Sequence, residues 1–166
     1  MMTVPRNTHE QLIIADTPWL IGIALVFFIV AFGGAGAFAA LAGIRDGDIV
    51  LILFGAVFAV LGGGLGVGGL NVFVRRVQVI FDRTDNTLTI RRRTLFDYSE
   101  VHHPLTDLSH AKLEKTTGKK GGAMYRPVLV FDKGMSAGDH PIVQAFTNTG
   151  GPKRLVDAVN RWMTLA

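Results

Sequence analysis

Two uncharged stretches occupy most of the first half of the chain, and a short polar turn separates them. No Asp, Glu, Lys or Arg occurs in the 28 residues 17–44 or in the 26 residues 49–74. A helix needs about 20 apolar residues to cross a hydrocarbon layer of about 30 Å. Both stretches exceed that length, so the sequence predicts a transmembrane helical hairpin with spans over about 18–43 and 49–74.

The basic residues of the chain are concentrated after the second span. Residues 75–166 carry 15 Lys or Arg and nine Asp or Glu, whereas residues 1–74 carry only two and four. An excess of Lys and Arg marks the cytoplasmic side of a span. We therefore predict a multi-pass protein of the cell inner (plasma) membrane with both termini cytoplasmic. The same excess indicates an anionic partner, and the headgroups of membrane lipids are the nearest one.

Both spans are rich in glycine, and the second contains two pairs at the spacing of close-packed helices. Gly62 pairs with Gly66, and Gly64 pairs with Gly68. Glycine at this spacing lets helix backbones approach closely in lipid, where packing drives association. These four glycines are the helix-docking candidates. Two readings fit them: the spans pack on each other, or the glycines dock another membrane protein or a second copy of the chain.

The two ends of the chain have different patterns. Residues 1–17 are predicted to form a polar N-terminal tail at the membrane surface. After residue 75 the apolar residues alternate with a period of two, which is typical of strands. Six strands are predicted, at about 76–82, 87–91, 95–103, 108–117, 124–132 and 139–147. Apolar residues at helical spacing after Pro152 predict a C-terminal amphipathic helix. The sequence thus predicts a cytoplasmic α+β domain over 75–166.

A family resemblance rests on the order of four segments in this domain. They are Phe81-Asp82-Arg83, Leu88-Thr89-Ile90-Arg91, the strand that reaches Val101, and Leu105-Thr106-Asp107-Leu108. This order resembles the pleckstrin-homology-like (PH-like) domains that follow a transmembrane hairpin in many small bacterial membrane proteins. The resemblance covers about residues 75–165. It implies an antiparallel β-sandwich or barrel of seven strands with a C-terminal capping helix, lipid or protein binding, and no catalysis. We expect the seventh strand near residues 95–110.

Six arginines are the candidates for contact with lipid headgroups or other anions. On a strand, Arg91 and Arg93 share one face and Arg92 takes the other. Basic residues near the bilayer surface attract anionic lipid by about 1 kcal/mol each. The alternative is an ordinary solvated strand whose charge reflects only its cytoplasmic location. The full set of candidates is Arg75, Arg76, Arg83, Arg91, Arg92 and Arg93.

Several classes of function lack their expected residues. The absence of cysteine excludes disulfides and thiolate catalysis. Neither span contains the ionisable residues that proton and ion pathways use. No serine has the Gly-x-Ser-x-Gly context of a nucleophile elbow, and the loop 118–122 lacks a phosphate-loop motif. His102 and His103 are adjacent, so on a strand they point to opposite faces and do not share a metal easily.

The sequence therefore predicts a protein that binds rather than catalyses. We expect no catalytic, cofactor-binding or metal-binding residues and no nucleic-acid partner. The predicted function is a membrane scaffold that binds a protein partner and contacts anionic lipid, with a membrane protein or a second copy as partner. The alternative is an accessory or assembly subunit of a larger respiratory or photosynthetic complex, docked through the glycine-rich helices.

Overall fold

The computed structural model describes residues 2–118 and 121–165, which form two compact units. The β unit comprises residues 2–17, 76–93 and 98–165. The helical unit comprises residues 18–75 and 94–97. The predicted domain order of tail, hairpin and cytoplasmic domain is therefore not the observed one, because the helical unit is inserted within the β unit.

The helical unit contains two long helices joined by a tight turn. The first runs from Trp19 to Asp46 as α1 (Trp19–Phe28), a π-helical segment (Ile29–Gly34) and α2 (Ala35–Asp46). The second, α3 (Ile49–Phe73), has 25 residues. At about 1.5 Å per residue, even the shorter helix is about 37 Å long. These two apolar helices are long enough to span a membrane, as predicted.

The turn between the helices is built by Gly47 and Asp48. Gly47 has a φ of 71°, the left-handed conformation that glycine adopts without strain. The Asp48 N–H then donates to the Gly43 carbonyl at 2.9 Å. The Asp48 carboxylate accepts hydrogen bonds from the N–H groups of Val50 and Leu51, which caps α3. The polar residues of the turn thus end one helix and begin the next.

The β unit contains two antiparallel sheets and one helix. The first sheet has the order β1 (Met2–Asn7), β2 (Gln11–Asp16), β3 (Arg76–Asp82), β4 (Thr87–Arg93) and β5 (Tyr98–Pro104). The second has the order β6 (Leu108–Thr117), β7 (Ala123–Phe131) and β8 (Gly138–Pro141). A short 3₁₀ helix, Leu105–Asp107, connects them, and α4 (Gly151–Thr164) ends the fold. Antiparallel sheets and a C-terminal helix are as predicted; among the described residues the strands do not close into one barrel.

The prediction of a polar tail over residues 1–17 is wrong. Residues 2–16 of this segment contain β1 and β2, and β2 pairs with β3 along its whole length. Leu12 lies opposite Phe81 and Ile14 opposite Val79, and all four side chains are buried. The physical reason is the period of two, which places Leu12 and Ile14 together on the core face of the sheet. The seventh strand expected near residues 95–110 is not found there, because only the 3₁₀ helix Leu105–Asp107 separates β5 from β6, and the additional strands are N-terminal.

The core of the β unit lies between the two sheets and α4. It includes Leu12, Phe81, Leu88, Leu129, Phe131, Leu155 and Trp162. Two polar contacts fix α4: the Trp162 indole donates to the Thr8 carbonyl at 2.7 Å, and the Asn160 amide bonds both backbone groups of Ala111. The sixth predicted strand is shorter than expected, because β8 ends at Pro141 and only one bridge, Tyr125 with Thr147, follows.

Candidate functional site

The structure places five of the six candidate arginines on a face of the sheet or in the helical unit, and Arg83 directly follows β3. Arg76, Arg91 and Arg93 project from the face of the five-stranded sheet opposite the core, which we call the outer face. Their neighbour Arg92 lies opposite the buried Val77 on the core side, as alternation along a strand requires. Arg75 belongs to the helical unit, where it follows the end of α3 and is exposed.

Two of the arginines bind backbone carbonyls within the fold. The Arg83 guanidinium donates to the His9 carbonyl at 2.8 Å and to the Trp162 carbonyl, and it stacks 4.1 Å above the Trp162 ring. Arg92 donates to the Pro141 carbonyl of β8 at 3.4 Å. Both arginines therefore connect separate segments of the β unit and have a structural role there.

Arg91 faces a carboxylate on the neighbouring strand. Its Nε donates to Glu100 at 3.0 Å, and Glu100 also accepts a hydrogen bond from the Tyr98 hydroxyl. The hydrogen bonds from Tyr98 and then Arg91 hold the pKa of Glu100 below its ordinary value. The same bond to Glu100 raises the pKa of Tyr98. Glu100 is therefore the counter-ion of Arg91.

Arg76 and Arg93 are direct partners across the β3–β4 ladder. Both are exposed, and neither forms an ion pair with a carboxylate in the part of the chain that the structure describes. Like charges directly opposite each other in a sheet are destabilising. Arginine can bind phosphate oxygens through paired hydrogen bonds, so these two exposed side chains are of a type that could hold an anion.

Sequence reasoning missed this pairing because it treated the arginines as a run along one strand. The signal was present in the hairpin register. The turn after Asp82 closes onto Thr87, and the ladder then continues without a bulge to Arg76 and Arg93. Starting from the pair Asp82 and Thr87 beside the turn, six residues back along β3 and six forward along β4 lead to Arg76 and Arg93.

The four candidate glycines divide into two functional pairs. Gly62 and Gly66 are buried, and a Cβ added to Gly62 would lie 2.6 Å from the backbone nitrogen of Gly33. A Cβ added to Gly66 would overlap the side chain of Ile29. Gly64 and Gly68 are exposed, and nothing lies within 4 Å of an added Cβ at either. The first pair therefore serves packing within the hairpin, and only the second is open to a partner.

A histidine pair lies where β5 meets the second sheet. The His103 ring is buried, with its centroid 4.8 Å from that of Phe131 and 5.6 Å from that of His140. Burial, and then the neighbouring His140, hold the pKa of His103 below its ordinary value, with Asp107 opposing the effect. His102 lies on the outer face beside Glu100, so the two adjacent histidines are separated as predicted.

Within residues 2–118 and 121–165, no three His, Asp or Glu side chains converge in a way that could hold a metal ion. Lys119 and Lys120, the basic residues of the glycine-rich loop, lie outside the described residues. Comparison with known protein families and with curated proteins found no match to this chain.

Proposed function

We propose that this chain is a non-catalytic integral protein of the bacterial inner membrane. In this proposal the two long helices cross the bilayer and the β unit is a cytoplasmic PH-like domain. The domain acts as a scaffold that binds a protein partner and contacts anionic lipid through Arg76 and Arg93.

The observation that carries the proposal is the exposure of the two apolar helices. Only 6% of the apolar window of the first helix and 17% of that of the second are buried inside the protein. Phe38 and Val50 each expose about three quarters of their surface. Exposed apolar surface costs about 25 cal/mol per Å² in water and is favourable in lipid. The core helix of a water-soluble domain would bury most of this surface instead.

The connections between the two units support an even number of crossings. Two residues separate β2 from α1, and two separate α3 from β3. Because β2 and β3 pair in one sheet, both ends of the hairpin return to the same folded unit, which supports the proposal that they lie on one side of the membrane. The Lys and Arg excess of residues 75–166 favours the cytoplasmic side.

The strand count supports the PH-like assignment. Strands β2 to β8 number seven and a helix follows them, which is the pattern that the family resemblance implies. Strand β1 is then an N-terminal addition at the edge of the larger sheet.

Lipid selectivity of the full-length protein in nanodiscs tests the anionic contact. Native mass spectrometry of protein released from mixed neutral and anionic lipid would count the anionic lipids retained. Replacing two basic residues at about 1 kcal/mol each predicts about thirtyfold weaker retention for Arg76→Gln with Arg93→Gln. The matched control is Lys153→Gln with Arg154→Gln, which removes the same charge from the exposed side of α4. Equal retention by both variants would contradict the lipid contact.

A second candidate function rests on the open glycine pair. Nothing lies within 4 Å of a Cβ added to Gly64 or Gly68, and this open space on α3 favours an accessory or assembly subunit docked there. Gentle detergent extraction and native gels test this candidate. Gly64→Leu is expected to release the chain from a larger complex, and migration of the unaltered protein as a lone chain would contradict it.

A further inference from the structure

The turn between β4 and β5 contains two large apolar side chains that are exposed. Leu95 exposes 53% of its surface and Phe96 exposes 74%. This turn, residues 94–97, connects two strands of the β unit but belongs to the helical unit.

A hydrogen bond places the turn beside the end of α3. The backbone N–H of Phe96 donates to the Asn71 side-chain oxygen at 3.3 Å. Asn71 lies two residues before the helix end at Phe73, about 3 Å along the axis at the usual helical rise. The first charged residue after it is Arg75. Phe96 is therefore held beside the last turn of α3, before the first charged residue that follows this apolar helix.

The backbone of the turn is prepared for an environment poor in water. Beyond the bond from Phe96 to Asn71, the Thr94 N–H donates to the Asp97 carbonyl at 2.8 Å, and the Asp97 N–H donates to the Thr94 hydroxyl at 3.0 Å. Unpaired backbone N–H groups are costly in lipid. Three of the four amides of this turn have acceptors, which lowers the cost of immersing it.

We propose that Leu95 and Phe96 insert into the lipid interface as an anchor separate from the two helices. The occupant of this apolar surface is the glycerol and upper acyl-chain region of the leaflet in which α3 ends. The exposed Trp19 and Phe73 at the same end of the helices belong to the residue types that line such an interface. The inference rests on the proposed membrane-spanning role of the hairpin.

Depth-dependent quenching in proteoliposomes tests the anchor, and the absence of cysteine allows single-site probes. Phe96→Cys and Leu95→Cys would each carry a polarity-sensitive fluorophore. Val60→Cys, in the middle of α3, reports the span, and Met135→Cys, fully exposed in the β unit, reports water. Lipids with a nitroxide near the glycerol end or near the methyl end of the acyl chain serve as shallow and deep quenchers.

The anchor predicts blue-shifted emission at positions 95 and 96 and loss of intensity chiefly with the shallow quencher. The probe at 60 is expected to lose intensity chiefly with the deep quencher, and the probe at 135 with neither. If 95 and 96 behave like 135 while 60 is quenched, the anchor is wrong and the membrane span stands. If 60 is also unquenched, the membrane-spanning proposal and the anchor fail together.

Discussion

Asp16 and Val77 are partners in the β2–β3 ladder, although the whole helical hairpin lies between them in the chain. The ladder between these strands runs from Asp16 and Val77 to Gln11 and Asp82 without interruption. The hairpin is therefore an insertion between two adjacent strands. One consequence is that a fragment of residues 75–166 lacks two strands of the sheet and part of its core.

The buried residues of β2 provide the first prediction. Leu12→Ala is expected to lower the free energy of unfolding of the β unit by about 2–5 kcal/mol, because it leaves a cavity beside Phe81. Ile13→Ala, on the opposite face of the same strand, is the control and should cost far less. Thermal unfolding of the full-length protein in detergent measures both. Equal effects would mean that β2 is not part of the core.

The glycine crossings within the hairpin provide the second prediction. A Cβ added to Gly55 would overlap the backbone of Ala40 and Gly36, whereas Gly64 has open space. Gly55→Leu is expected to destabilise the hairpin by about 2 kcal/mol or more, since overpacking against backbone cannot relax by side-chain movement. Gly64→Leu should leave the stability of the isolated protein unchanged. Unfolding in a denaturing-detergent titration distinguishes the two variants.

The position of Arg83 provides the third prediction. Arg83→Met removes the guanidinium that bonds two carbonyls and stacks on Trp162, at a cost of about 1–3 kcal/mol. The variant should lower the melting temperature and leave the retention of anionic lipid unchanged. The pair Arg76→Gln and Arg93→Gln should lower the retention of anionic lipid and raise the melting temperature slightly, because it removes like-charge repulsion across the ladder. Loss of lipid retention in Arg83→Met with unchanged stability would contradict this assignment.

The burial of His103 provides the fourth prediction. Because the folded-state pKa of His103 lies below its unfolded value, the unfolded chain binds the proton more readily as the pH falls. Its stabilising effect is therefore present above the unfolded pKa and is lost as the pH falls through about 6.5 toward the folded value. The melting temperature should therefore drop as the pH falls below the ordinary pKa of histidine, about 6.5. His103→Gln should flatten this drop, whereas the exposed His110→Gln should retain it.

The local elements of the fold were predictable from the sequence, and the long-range pairings were not. The helices, the strands after residue 75 and the C-terminal helix each follow from the spacing of apolar residues within a short window. Strand β2 was missed because Ile13 interrupts the alternation of Leu12 and Ile14, and because its partner lies beyond the hairpin in sequence. The pattern of six residues alone is too short to identify a strand when its pairing partner lies so far along the chain.

The candidate site was predictable by residue type but not by arrangement. The sequence identified Arg76 and Arg93 but could not separate them from Arg83 and Arg92, whose carbonyl partners on His9 and Pro141 come from distant segments. Likewise, the spacing of the glycines did not distinguish Gly62 from Gly64. Only the rotation of α3 against the first helix decides which of the two is covered.

Cysteine accessibility in a bacterial host tests the inserted membrane hairpin most directly. Single cysteines at His9, Asp46 and Thr84 would be treated with a membrane-impermeant maleimide before and after lysis. The account predicts labelling at position 46 in intact cells and at positions 9 and 84 only after lysis. Labelling of 9 and 84 from opposite sides of the membrane, or protection of 46 together with the other two in intact cells, would contradict it.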